Sequence, residues 1–183
     1  MNIWIVDHYS SEPQYGGIQR QFDFLNEMTA RGHNVVVISS SFSHFTHKYI
    51  SQDEVFCSEI NSKGHYVYLR TKAYSKNDGF DRTINTLSFM RIVPQKAALI
   101  KAKYGKPDVV VGCSIHPFTW IAAYRVSKEY KARFVAEVRD LWPATWIYNW
   151  GMSRLHPRAI IFGGIEKWAY KKAEIITGSI NAT

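Results

Sequence analysis

Residues 1–40, MNIWIVDHYSSEPQYGGIQRQFDFLNEMTARGHNVVVISS, carry the pattern that decides the fold. An apolar run over residues 2–7 ends in Asp7, a Gly-containing loop follows, and Ile18, Phe22 and Leu25 then recur at helical spacing. Gly32 stops that helix, with Arg31 and His33 beside it where cations suit a helix carboxyl end. The Val/Ile run over residues 34–39 is too short for a helix and reads as a second strand. A βαβ unit therefore opens the chain.

The same alternation continues outward. Residues 40–64 are rich in Ser, His and Phe without a sustained period, and read as a long connection of the kind that is usually functional or mobile. Residues 66–69 read as a short strand, and residues 85–104 as a helix bent or interrupted by Pro94 and closed by Gly105 and Pro107. Strands at 108–112, 134–138 and 174–177 alternate with helices at 118–130 and 158–173. Apolar, non-alternating strands between helices predict an α/β, Rossmann-like, doubly wound and mostly parallel sheet with helices on both faces. The last strand ends at Gly178 and Ser179, so residues 1–183 are expected to form one domain that stops at a boundary.

The chain has 183 residues and a formal charge of +8, which favours anionic partners without choosing among sugar nucleotides, lipid phosphates, membrane surfaces and nucleic acid. Nucleic acid is not expected, because no helix-turn-helix, zinc-finger or RNP signature appears. Cys57 and Cys113 are too few and too far apart for a disulfide framework, which points to a cytoplasmic setting. The first residues carry no basic region, and no run approaches the about 20 apolar residues of a membrane span. Asn181-Ala182-Thr183 matches a glycosylation sequon and is read as chance.

Three connections hold candidate chemistry. Tyr15-Gly16-Gly17-Ile18-Gln19-Arg20 lies between the first strand and its helix, where free N–H groups and the helix dipole favour an anion. The alternative is a tight turn needing positive φ, and the sequence leaves both open. The loop is neither G-x-G-x-x-G nor G-x-x-x-x-G-K-[ST], which argues against a nicotinamide dehydrogenase. His116 sits just past the 108–112 strand, at the edge where open α/β sheets bind ligands, with Pro117 starting the next helix. Glu137-Val-Arg-Asp-Leu-Trp-Pro143 ends the following strand at the same edge, where Asp140 is placed to accept a proton. The alternative there is an Arg139–Asp140 pair that merely caps the strand end.

Trp142, Trp146, Tyr148 and Trp150 crowd one connection, as suits a membrane interface, a sugar face or a hydrophobic domain contact. The helix after Pro157 has a basic side at Lys167, Lys171 and Lys172 and an apolar one at Ile161, Ile165 and Trp168, as an ordinary core-facing helix or a membrane-lying one would. No metal is expected: His44, His47, Cys57 and His65 lack ligand spacing, and no D-x-D cluster is present.

Taken in order, the Tyr15-Gly16-Gly17 loop, His116, Glu137-Val-Arg-Asp-Leu-Trp-Pro143 and Ile165-Glu-Lys-Trp-Ala-Tyr-Lys-Lys-Ala-Glu-Ile-Ile-Thr-Gly-Ser179 resemble glycosyltransferase family 4, nearest to the transferases of bacterial O-antigen and capsular polysaccharide synthesis. The resemblance spans the chain and implies the amino-terminal, acceptor-binding half of a GT-B fold. A second, donor-nucleotide domain with paired glutamates would lie outside this chain, leaving it inactive alone. It further implies retaining, metal-independent transfer from a nucleotide-diphosphate sugar, needing no other cofactor, to a glycan or polyprenyl-linked acceptor, which the long 40–64 connection is itself expected to meet. By the same likeness Gly16 and Gly17 face the donor phosphates, His116 lies near the transferred sugar, and Asp140 orients or deprotonates the acceptor hydroxyl. Tyr15, Arg20, Glu137 and Arg139 complete the expected substrate-binding set, although many relatives carry another polar residue in place of Arg139. Peripheral contact with the inner membrane face fits the basic charge and the aromatic connection. The alternatives are a non-catalytic α/β nucleotide- or phosphate-binding domain and half of a GT-B sugar-nucleotide epimerase.

Overall fold

The computed structural model describes residues 1–75 and 80–178. Its strands are β1 (Asn2–Val6), β2 (Asn34–Ser40), β3 (Val55–Asn61), β4 (Gly64–Leu69), β5 (Val109–Cys113), β6 (Arg133–Val138) and β7 (Ile175–Gly178). The helices are α1 (Arg20–Ala30), α2 (Phe80–Tyr104), α3 (Phe118–Tyr130), α4 (Ala144–Trp150) and α5 (Pro157–Lys172). The strands form one sheet in the order β3-β4-β2-β1-β5-β6-β7, parallel throughout except where β3 pairs antiparallel with β4.

Both faces of the central strands are buried, which is why their sequences are apolar at nearly every position. Trp4 and Val6 of β1 join Val36, Ile38, Val67 and Leu69 in one core, closed by Phe89, Val93, Trp120 and Val126 of α2 and α3. Ile3 and Ile5 turn the other way, with Val35, Val37, Tyr66 and Tyr68, and meet Leu25 of α1. Each fully buried Val, Leu or Ile contributes roughly 1.5–3 kcal/mol. That is well above the about 0.2–1 kcal/mol of an exposed ion pair such as Glu27–Arg31.

From β1 the sheet grows on one side through β2 to β4 and β3, and after α2 the chain returns to place β5 on the other side of β1. The strand order thus reverses between β1 and β5. At such a reversal the loops leaving the two carboxyl ends diverge and open a crevice.

Three expectations need correction. The stretch over 40–64 is not all connection: its second half is β3, a half-buried edge strand whose sequence VFCSEIN shows little apolar contrast. Helix α2 begins five residues before Asn85 and runs through Pro94. Proline costs one helical N–H bond, and the buried stripe of Phe89, Val93, Ala97 and Ile100 holds both halves. The aromatic connection after Pro143 contains the short helix α4. Ser179 and the 181–183 sequon lie outside the described residues, and no helix among the described ones is long and apolar enough to cross a membrane.

Gly112 is where β5 and α3 meet most closely, since a Cβ there would lie 2.9 Å from Ala123 Cβ and 3.3 Å from Trp120 Cα. Gly112→Ala should therefore cost about 1–3 kcal/mol in urea unfolding. Gly164, inside α5 with nothing near its missing side chain, should instead gain up to about 1 kcal/mol on substitution by alanine.

Candidate functional site

The site is built from the residues that follow β1, β5 and β6. Parallel pairing carries Asp7 on past β1, its N–H bonded to Ile38 O at 3.0 Å, so its carboxylate ends up inside the rim. Arg139, just after β6, reaches it through Nη1 at 3.0 Å from Oδ2, and Tyr9 N–H donates to Oδ1. Burial pushes the Asp7 carboxyl above its ordinary value, and Arg139 and the Tyr9 N–H draw it back.

His8 and His116 meet at the strand-order reversal. His8 Nδ1 lies 2.7 Å from His116 Nε2, and Phe89 and Tyr9 stack on the two sides of the His8 ring. None of Asp7, His8, His116 and Glu137 is more than 6% exposed. Burial drives the His116 imidazole down to about 3, and holds His8 well below the ordinary range with His116 and Arg82 adding to the effect. Two neutral imidazoles share one hydrogen bond between them. Whichever ring donates, the outer atoms His8 Nε2 and His116 Nδ1 are then one N–H and one bare nitrogen, both buried and without a partner among the described residues.

Ser114, at the end of β5, fixes the β6 connection. Its Oγ accepts from Arg139 N–H at 2.9 Å and its carbonyl accepts from Trp142 Nε1 at 2.9 Å. Glu137 is consumed inside the fold: Arg20 Nε donates to Oε1 at 2.9 Å and Gln21 Nε2 to Oε2 at 2.7 Å. The guanidinium of Arg139 is likewise committed, to Asp7 rather than to neighbouring Asp140. Asp140 differs from both, because among the described residues no donor is bonded to its half-buried carboxylate. Burial raises its carboxyl above the ordinary value, and nearby Arg139 opposes the rise.

The glycine loop is a closed turn between Ser10 and Ile18. The Ser11 hydroxyl donates to Gly16 O, and both glycines adopt positive φ, 70° at Gly16 and 100° at Gly17. A Cβ on Gly17 would meet Ser11 Oγ at 2.9 Å and the Phe45 ring at 3.1 Å. The turn reading is therefore sufficient for Gly17. The helix that follows has no side-chain cap at its amino end. Tyr15 packs edge-on against Tyr68 and Arg20 lies over Phe24. From Gly17 a run of contacts passes through Phe45, His44 and Tyr9 to His116, so the loop and the imidazoles line one rim.

His44 stacks on Tyr9 and bonds Tyr74, with burial lowering its imidazole to about 4. The crevice beside His8, Tyr9, Ser40 and His44 has a volume of about 10 Å³, near the lower limit for one water. A larger cavity of about 320 Å³ lies far from this rim, beside Lys128, Lys131, Lys172 and Glu174 at the carboxyl ends of α3 and α5. Lysines there complement helix carbonyl ends, so the larger space is not the better site. Sequence reasoning passed over Asp7, His8 and Ser114. His8 was findable, since it follows a buried strand directly, as His116 nearly does.

No protein-family profile and no curated protein sequence matches the chain. Its fold is similar to the crystal structure of Arabidopsis thaliana UGT89C1 complexed with UDP, at TM-score 0.57 and 10% identity over 98% of this chain. The present chain spans 42% of the length of that one. The Sure protein of Aquifex aeolicus aligns at 10% identity over 98% of this chain and 66% of its own, but at TM-score 0.41, too low to carry an argument. At this identity the likeness to UGT89C1 concerns the fold alone.

Arg139→Met should destabilise the fold by about 3–5 kcal/mol, because it strands the buried Asp7 charge. Adding Asp7→Asn should recover much of that loss in a double-mutant cycle. A pH series reads the imidazoles. Unfolded, they take up protons near pH 6.5, whereas the fold holds His116 neutral down to about 3. The unfolded chain thus binds more protons within that window, and stability falls as the pH falls through it. His116→Gln should reduce the slope by up to about 1.4 kcal/mol per pH unit between those limits.

Proposed function

We propose that the rim formed by β1, β5 and β6 is the acceptor side of a sugar transfer, in which a sugar leaves a nucleotide diphosphate and joins a hydroxyl of a glycan or lipid-linked acceptor. One observation carries the reading. Of the rim carboxylates Asp7, Glu137 and Asp140, the first two are spent on Arg139, Arg20 and Gln21, and only Asp140 stands without a donor among the described residues. Its raised pKa suits a group that must take a proton and later give it up. The fold likeness to UGT89C1, a glycosyltransferase whose structure holds UDP, supports the same reading.

In this scheme the bond to the diphosphate breaks and the acceptor oxygen bonds to the anomeric carbon on the face the diphosphate leaves, its proton passing to Asp140. The departing diphosphate carries the charge. The Gly16 N–H is spent on Pro13 O, so the Gly17 N–H and the uncapped amino end of α1 are the groups that would meet it. The unpaired nitrogens of His8 and His116 supply one neutral donor and one acceptor for sugar hydroxyls. Retention at the anomeric carbon, freedom from metal, and a place in O-antigen or capsule synthesis at the inner membrane face are further parts of this proposal, supported by the motif resemblance. So is the assignment of residues 1–183 to the acceptor half of a larger enzyme.

A second reading is favoured by the crevice itself, whose about 10 Å³ holds a water rather than a sugar. It is a phosphate- or nucleotide-binding domain without chemistry. Transfer assays on a chain that includes a nucleotide-binding domain separate the two. Asp140→Asn should lower the rate by about 10²–10⁴ without moving the melting temperature, and His116→Ala should also impair transfer. Unchanged rates in the Asp140→Asn enzyme would remove that carboxylate from the reaction.

A further inference from the structure

The cavity of about 320 Å³ beside α3 and α5 lies at the amino edge of the sheet, where β6 and β7 begin, and so at the opposite edge from the rim of Asp7, His116 and Asp140. Its size falls at the lower end of ordinary small-molecule sites, roughly 300–1,000 Å³. Lys128 in the last turn of α3, Lys131 directly after that helix and Lys172 at the end of α5 all line it. Among the described residues none of these exposed lysines forms an ion pair. Glu174, in the same wall, is already held by Arg133, whose Nε donates to Oε2 at 2.9 Å.

Helix carbonyl ends account for only part of this charge. Each carries about half a negative elementary charge, so the ends of α3 and α5 together offset about one lysine and leave about two positive charges beside the cavity. At α3 the chain caps itself: Ser127 O accepts from Ala132 N–H at 2.8 Å and Lys128 O from Lys131 N–H at 3.4 Å. That turn sets Lys131 at φ 52°, a left-handed position where glycine or asparagine is the ordinary residue and a longer side chain strains the backbone. A lysine held at a strained position, beside two others that lack a counter-charge, marks a place for an anion.

We infer that this cavity binds a phosphorylated sugar. Lys128, Lys131 and Lys172 receive the phosphate as point charges. Two further groups in the wall suit sugar hydroxyls: Oε1 of Glu174 and the hydroxyl of half-buried Tyr124 have no hydrogen-bond partner among the described residues. The Tyr124 ring itself is engaged edge-on with Phe134 and Trp168, at centroid distances of 5.6 and 5.0 Å, which makes it a poor platform for a nucleotide base and favours a sugar as the body of the ligand. The site shares no residue with the rim, and binding alone tests it.

The test is calorimetric titration of the full chain with glucose 6-phosphate, inorganic phosphate and glucose. Glucose 6-phosphate should bind with an affinity that falls as salt is added, inorganic phosphate about five-fold more weakly, and glucose not at all. Lys128→Gln and Lys172→Gln should each weaken binding of the sugar phosphate about five-fold. Lys131→Gly should weaken it as much and yet keep or raise the melting temperature, since glycine takes that φ without strain. Lys63→Gln, in the β3–β4 turn at the far end of the sheet, should change nothing. Absence of glucose 6-phosphate binding, equal affinity for inorganic phosphate, unchanged affinity in the Lys131→Gly and Lys172→Gln chains, or an equal loss in the Lys63→Gln chain would each overturn the inference.

Discussion

The ion pair between Asp7 and Arg139 joins the ends of β1 and β6, two strands separated by β5. It closes over the end of β5 and leaves Ser114 beneath it to hold the β6 connection through its hydroxyl. With Asp7 wholly buried, the pair is a constraint more than a gain. A carboxylate at that depth needs a cation, and the cation can come only from a connection that the strand order has brought within reach. Glu137 repeats the logic on the α1 side, where Arg20 and Gln21 reach across to β6.

These pairings sort the rim into groups engaged within the fold and one carboxylate, that of Asp140, to which no donor is bonded among the described residues. Glu137, Arg20 and Arg139 look like ligand-binding residues in the sequence, yet each is engaged within the chain. Asp140 is left by this elimination. The two imidazoles are neutral for a physical reason, since burial in apolar surroundings penalises the charged form. Their outer nitrogens retain unsatisfied hydrogen-bonding capacity, which is costly in a buried site and common where a ligand supplies the missing partner.

The aromatic segment 142–162 illustrates the same sorting on the outside of the molecule. Its inner rings make the contact of α4 with α5, and through Trp142 Nε1 they are tied to Ser114 and so to the rim. The outer rings, those of Tyr148 and Trp150, contribute nothing to that packing. Trp142 thus fastens the rim to this segment, and Phe118, packed on Phe162, does so a second time.

Much of the architecture was legible in the sequence. Period and length marked β1, β2, α1, α3 and β5 to within a residue or two, because parallel strands buried on both faces must be apolar throughout. The edge strand β3 escaped, being half-buried and weak in contrast, and α4 escaped because seven residues hold less than two turns clear of Pro143 and Gly151. The placement of His116, Arg139 and Asp140 at strand ends was also readable. Their partners were not: Arg139 stands beside Asp140 in sequence but pairs with Asp7, 132 positions away, and His116 faces His8 across 108. Periodicity is a local property that the sequence determines by itself. Which charges and rings meet depends on the order in which strands enter the sheet, and only the tertiary structure decides that.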